Sequence, residues 1–271
     1  MIKLSKNHKG GVCMHHLEIP ASIAQQLVDG LMGGYKDYLA ERKQKQQSLT
    51  ISGAFAWTRS NFIDSKISEL VSKEPSISSQ PDKAGYAWEY IQFIHEQSNH
   101  RSLIIVKNAR QLKRRFNNTN TNVDKNNYLY QLAGINNELS AAGLLSNRQT
   151  NGVIQLELAL PGTNNAVVSL MNQTAQKSSP FSKFYIVTYA VDNDSKMIKH
   201  IELTMPNQTE MTLKPIQDLT PLIKHSPFQI SLEEVEPIQS DQVPDAAYEQ
   251  NTLFGYEINA DPETEMEADA E

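Results

Sequence analysis

From Ser231 to Glu271 the chain carries thirteen acidic side chains and no lysine or arginine, with prolines at 237, 244 and 262. Such a segment has too little apolar surface to offset the entropy lost on ordering it, and its like charges repel. The sequence therefore predicts a disordered acidic tail over 231–271 and confines folding to a body over 1–230, with a sub-boundary near the polar stretch 117–125. The whole chain has 25 Lys plus Arg and 31 Asp plus Glu, so removing the thirteen tail acids leaves 18 acids and a net charge of +7 on the body. A basic body is tethered to a tail of charge −13.

With 39% hydrophobic and 21% charged residues over 271 positions, the body is long enough to bury a real core. No run of eighteen apolar residues occurs, and "MIKLSKNHKGGVCMHH" has no apolar signal core, so a cytoplasmic protein is expected, with no membrane contact. A single cysteine, Cys13, excludes an internal disulfide framework.

Apolar spacing supplies the elements. Pro20 opens a helical stretch with Ile23, Leu27, Leu31, Tyr35 and Leu39 at every fourth position, which Gly30, Gly33 and Gly34 are expected to weaken or bend. A second helix starts at Ser60 or Asn61 and buries Phe62, Ile63, Ile67, Leu70 and Val71. Loop composition follows over 76–83, and "AWEYIQFIHEQ" reads as a third helix with Ala87, Ile91 and Ile94 on one face. Leu103 to Val106 reads as a buried strand, with "ARQLKRRF" behind it. A long helix is expected from about Asn126 to Ala142, ended by Gly143. Further on, "GVIQLELALPG" and "FYIVTYAV" read as strands, "DNDS" as a turn, "KMIKHIELTM" as the hairpin partner and "IQDLTPLI" as a short helix. Helices first and strands after argue an α+β fold with a mostly antiparallel sheet region, not a doubly wound one.

Catalytic and metal signatures fail on spacing, and no cofactor is called for. "KGGV" at Lys9 to Val12 lacks the following G-K-[ST] that phosphates and Mg²⁺ require. His95 and His100 stand five apart, not the four that a helical zinc pair needs, and Cys13, His15 and His16 lack a distant second pair of ligands. No nucleophile motif is present, nor the strand-borne Glu-x-Lys of a common class of metal-dependent nucleases: Glu157 has no lysine two residues later.

The strongest chemical signal is basic. Between Arg101 and Lys125 seven cations face one acid, Asp124, for a net +6. Arg101, Lys107, Arg110, Lys113, Arg114 and Arg115 are candidate nucleic-acid contacts. If "ARQLKRRF" is helical, Leu112 and Phe116 dock one face while Arg110 and Arg114 share another with Lys113 beside them. A solvated basic face, covered by the protein's own tail, is the alternative, and the tail would then compete with nucleic acid for the same cations.

In the tail, "QNTLF" resembles the peptide that binds the bacterial sliding clamp, whose pattern is Gln, two variable residues, Leu or Met, then Phe. The resemblance implies that Gln250 supplies amide hydrogen bonds and that Leu253 and Phe254 fill an apolar pocket on the partner. Across roughly residues 15–225, "FAWTRSNFI", "GYAWEYIQFI", "SLIIVKNARQLKRRF", "YLYQLAGIN" and "FYIVTYAVD" resemble a poorly characterised group of proteins from phages and mobile elements of Gram-positive-type bacteria. Some of these are thought to be toxins of toxin–antitoxin pairs. The resemblance implies a non-enzymatic binding protein, a growth-inhibiting toxin or regulator acting on DNA replication or nucleic acid. The alternatives are a nuclease-like or other phosphate-handling enzyme, and an antitoxin-like or scaffold protein.

Overall fold

The first long element of the computed structural model, which describes residues 17–84, 88–98, 100–116, 123–146 and 180–239, is helix α1, Ala21–Ser48. Pro20 flanks it, and the Pro20 carbonyl accepts the first helical bond from the Ala24 N–H at 2.9 Å. Ile23, Leu27, Leu31, Tyr35 and Leu39 are all buried, as their spacing predicts. The glycines have a different use from the one expected. A single 3₁₀ segment, Gly53–Thr58, leads into α2, Arg59–Val71, which begins earlier than Ser60 and without a side-chain cap. α2 crosses α1 so closely that a Cβ on Gly30 would lie 2.5 Å from the Ile67 Cα, and one on Gly34 would lie 2.5 Å from the Ile63 Cα. Gly30 and Gly34 are thus the contact surface of a helix pair, and α1 runs through them uninterrupted. Gly34→Ala is expected to force the helices apart and cost about 1–3 kcal/mol, read as a lower urea midpoint with an unchanged slope.

Six strands form one sheet in the order β1-β2-β3-β4-β5-β6: Ile77–Ala84, Trp88–Gln97, His100–Asn108, Lys183–Val191, Ile198–Asn207 and Thr212–Asp218. All neighbours pair antiparallel except β3 and β4, which are parallel. The fold is α+β, with helices α1 and α2 ahead of a mostly antiparallel sheet. The strands before and after 117–125 join the same sheet.

Two expectations fail here. "AWEYIQFIHEQ" is strand β2, not a helix: Tyr90 and Ile94 pack on one side of the sheet and Phe93 on the other. Both faces of β2 are covered, so its apolar residues satisfy a helical spacing as well as a strand spacing. The expected loop over 76–83 is edge strand β1, paired residue for residue with β2. Pro81 is tolerated there because an edge strand has a side that needs no N–H donor.

The sheet carries a core on each face. One contains α1, α2 and the last helix α6, Leu232–Gln239, packed on Phe93, Ile104, Val106, Tyr185, Val187 and Leu203. The other contains α3, Ala109–Arg115, and α4, Tyr128–Ala133, whose Leu112, Phe116, Leu129 and Ala133 cover Leu103, Ile105, Phe184 and Ile186. The predicted helix over 126–142 is broken into α4, a 3₁₀ turn Gly134–Asn136 and α5, Asn137–Ala141, after which Gly143 turns with φ +75°.

The break serves the sheet. Buried Asn136 donates from Nδ2 to the carbonyls of Phe184 (2.9 Å) and Pro206 (3.1 Å), and its Oδ1 accepts from the Phe184 N–H (2.9 Å). Pro206 has no N–H with which to continue the β4–β5 ladder, and the Asn136 amide takes that place.

"IQDLTPLI" is helical only in its second half: Ile216 to Asp218 end β6, and a 3₁₀ helix, Thr220–His225, comes next. At the start of the acidic segment, α6 is ordered. Val235 and Ile238 are buried, Gln46 Nε2 donates to the Pro237 carbonyl at 2.8 Å, and Glu234 pairs with Lys36 at 3.0 Å. The expectation of disorder is thereby corrected for 232–239, because Val235 and Ile238, three residues apart on one face, supply an apolar stripe that α1 covers, while Leu232 is exposed. The remaining tail, the expected strand at "GVIQLELALPG" and the "KGGV" and "CMHH" segments lie outside the described residues.

Candidate functional site

The parallel pair sets the site. In a parallel pair both strands end on the same side, and the turns beyond them diverge around a crevice. β3 ends at Asn108 and β4 at Val191, and a cleft of about 380 Å³ lies between helix α3 and the β4–β5 turn, which continue from those two ends. Five cations line it: Arg59 from α2, Arg110 and Lys113 from α3, Lys196 from the β4–β5 turn and Lys199 from β5. Two acids, Asp192 and Asp194, share the lining, leaving a formal +3.

Each wall is held by local chemistry. The Asn108 side chain caps α3 by accepting from the Arg110 N–H at 2.9 Å, and the Arg110 guanidinium donates to Asn193 Oδ1 across the crevice. Asp192 closes the β4–β5 turn. Its carboxylate accepts from the N–H groups of Ser195 (3.0 Å) and Asp194 (3.1 Å) and from Lys199 Nζ (3.0 Å). The Ser195 N–H, then Lys199, hold that carboxyl well below the ordinary range, so it stays charged. Tyr35 donates its hydroxyl to the Lys196 carbonyl at 2.7 Å, which ties α1 to the same turn, and the Arg59 guanidinium sits 5.9 Å from the Tyr189 ring centre.

A second recess of about 70 Å³ shares Arg59 and Asn108 with the cleft and reaches inward between α2 and the sheet. Asp64 lies in it, on the buried face of α2, with 8% exposure. Pairing of β2 with β3 runs from Gln97 and His100 to Phe93 and Ile104. Past that point the Ile91 N–H donates to Asp64 Oδ2, at a long 3.4 Å. Burial pushes the Asp64 carboxyl up to about 6, against the opposing pull of the Lys107 ammonium and the Ile91 N–H. Lys107 Nζ rests 5.3 Å from the Tyr90 ring centre and 5.7 Å from that of Tyr128. Burial lowers that ammonium, but Tyr128 and Asp64 together outweigh the effect and hold it above its ordinary value.

The six predicted cations therefore do not form one surface. Arg110 and Lys113 line the cleft, and Lys107 lines the inner recess. Arg101 lies at the opposite end of β3, about 20 Å away at strand rise, paired with Glu96 at 3.0 Å and 5.3 Å from the Phe181 ring centre. Arg115 borders a separate cleft of about 150 Å³ beside Phe116 and Asp124. The side chain of Arg114 lies outside the described residues, as do Gln250, Leu253 and Phe254. His95 and His100 sit on adjoining strands, the first buried and held below its ordinary value by that burial, the second exposed. Among the described residues no three His, Cys, Asp or Glu side chains are grouped to hold a metal, and no helix is long and apolar enough to cross a membrane.

Arg59, Asp64, Lys196 and Lys199 escape a reading of the sequence because they come from separate segments. One signal was present: Asp64 directly follows Ile63 on the apolar face of α2, where a charge is costly unless it is used.

Comparison of the chain with protein-family models, curated proteins and solved structures gave no match. What fold and site define is a class: an α+β protein with a cation-lined cleft at the carboxyl ends of a parallel strand pair.

Proposed function

We propose that this protein binds nucleic acid by seating the phosphate backbone in the cleft at the ends of β3 and β4. The observation that supports this is the convergence of Arg59, Arg110, Lys113, Lys196 and Lys199 on one crevice. Two are arginines, whose planar guanidinium matches phosphate oxygens in a bidentate way, and the lysines add charge without demanding a fixed geometry. The cations line a concave cleft, which suits a single strand laid along it better than a duplex set on a flat face. The resemblance to mobile-element proteins and the clamp-like peptide at Gln250, Leu253 and Phe254 fit a growth inhibitor or regulator that works on DNA replication.

The acidic segment belongs to the same reading. Ile238, in α6, is part of the cleft wall, so the chain beyond Gln239 leaves from its rim. From 240 to 271 that chain has ten acids and no lysine or arginine, which offers the cleft a competing polyanion.

Fluorescence anisotropy with labelled single-stranded RNA and DNA, titrated across salt, tests the proposal. Binding should weaken with salt with a log–log slope of about −2 to −3, as for three or four neutralised phosphates on a single strand. A chain ending at Gln239 should bind about tenfold more tightly than the full chain at low salt. Absence of binding at low salt, or an affinity indifferent to salt, would sink the reading.

A further inference from the structure

The recess behind the cleft has a use that backbone binding does not absorb. It is lined by Asp64, Lys107, Ser60, Trp57, Tyr189 and Arg59, and it meets the cleft at Arg59 and Asn108. Its size decides what can enter. About 70 Å³ is well above the roughly 10–15 Å³ that a single water needs. A water or a hydroxyl group therefore fits beside the Asp64 carboxylate.

The setting of this carboxylate dictates its chemistry. Asp64 is nearly enclosed, its Oδ2 receives a long 3.4 Å bond from Ile91, and its charge is partly balanced by Lys107. A desolvated carboxylate that ionises close to neutrality is well matched to abstract a proton at physiological pH. A water and a sugar hydroxyl are two donors small enough to enter. The hydroxyl is favoured because a nucleophile in the same molecule as its phosphate gains an effective concentration on the order of 10⁵ M or more.

We infer that the recess is a catalytic subsite for single-stranded RNA, in which Asp64 accepts the proton of a ribose 2′-hydroxyl whose 3′-phosphate lies in the cleft. This rests on the cleft holding nucleic acid, as proposed above. The 2′-oxygen forms a bond to phosphorus, and the phosphorus bond to the 5′-oxygen of the next nucleotide breaks. That oxygen leaves with the electron pair and takes a proton from solvent water. The products are a 2′,3′-cyclic phosphate and a 5′-hydroxyl, and the proton on Asp64 returns to solvent. Arg59, at the junction of recess and cleft, faces the charge that builds on the phosphoryl oxygens. Lys107 is a positioning residue that keeps Asp64 ionised, itself held by Tyr90 and Tyr128.

The test uses the full chain, in excess chelator, with an end-labelled single-stranded RNA, the same sequence as DNA, and the same RNA with 2′-O-methyl groups. All three should bind, and RNA alone should be cut, leaving a cyclic phosphate. Below about pH 6 the rate should fall about tenfold per pH unit, as Asp64 takes up its proton against Lys107 from β3, Tyr189 from β4 and Arg59 from its own helix. Asp64→Asn should keep the fold and the binding and lose about 10²- to 10⁴-fold in rate. RNA that binds but stays intact, cleavage of the methylated strand or DNA at the RNA rate, or an Asp64→Asn variant as fast as the parent each overturns the inference and leaves the binding reading in place. Failure to bind RNA removes both.

Discussion

Reversing the two α3 cations of the cleft, Arg110→Glu together with Lys113→Glu, is expected to weaken single-strand binding about a hundredfold at low salt and to flatten its salt dependence by one to two in log–log slope. Each cation removed takes a phosphate partner with it, and each glutamate adds a charge that repels the strand. The fold should survive. Lys113 is exposed, and the Arg110 side chain joins Asn193 at a rim that is also held by Tyr35 and Asp192, so the loss in stability should stay within about 1 kcal/mol. Arg101→Glu is the control for each single reversal, since it makes the same change of two charges at the far end of β3, where Arg101 is already paired with Glu96. It should alter affinity by no more than about threefold. Equal losses for Arg101→Glu and for the α3 pair, each measured singly by anisotropy, would show that long-range charge and not the cleft does the binding.

Asp64→Asn should make the protein more stable at neutral pH, by an amount that depends on pH in a defined direction. Burial raises the Asp64 carboxyl from an ordinary 3.8 to about 6, so between those values the folded chain holds a proton that the unfolded chain has released. Stability of the parent must therefore fall as pH rises through that window, by on the order of 3 kcal/mol from this group. Asparagine has nearly the same shape, does not titrate and can still accept the Ile91 N–H. It does withdraw a counter-charge from Lys107, which offsets part of the gain. The stability of the Asp64→Asn variant relative to the parent should thus climb by about 2 kcal/mol from below pH 4 to above pH 6 and then level off. Urea unfolding at several pH values measures it, and a difference that stays flat across the window would mean that the carboxyl is not held up. A residue that costs stability in the resting protein is better explained by a chemical task than by packing.

Parts of this fold are legible from spacing alone. The stripe from Ile23 to Leu39 repeats apolar residues at a period that a single neighbouring surface selects, and the Phe184 to Val191 strand, covered on both faces, is read from its density of β-branched and aromatic residues. The errors fall where a second surface intervenes. β2 is covered on both faces, so its residues carry no period that separates strand from helix, and its pairing with β1 and β3 decides the matter. The helix over 126–142 breaks at Asn136 because β4 and β5 need a donor that Pro206 lacks, a demand arising some seventy residues away. Glycines that weaken an isolated helix become an asset when α2 packs against them.

The site divides along the same line. Arg110 and Lys113 are visible because neighbouring cations on one short helix are a local property, as is the acidity of the segment after Ser231. Charge, helix phase and the contrast between body and tail are written residue by residue, and the sequence by itself determined them. Only the tertiary structure decided that Arg59, Lys196 and Lys199 join Arg110 and Lys113, that Arg101 stands apart, and that Asp64 lies behind them. The reason is that β3 and β4 are parallel: their shared direction brings the ends of distant segments to one edge of the sheet, and the burial that sets the Asp64 proton affinity exists only once α2 closes over that edge.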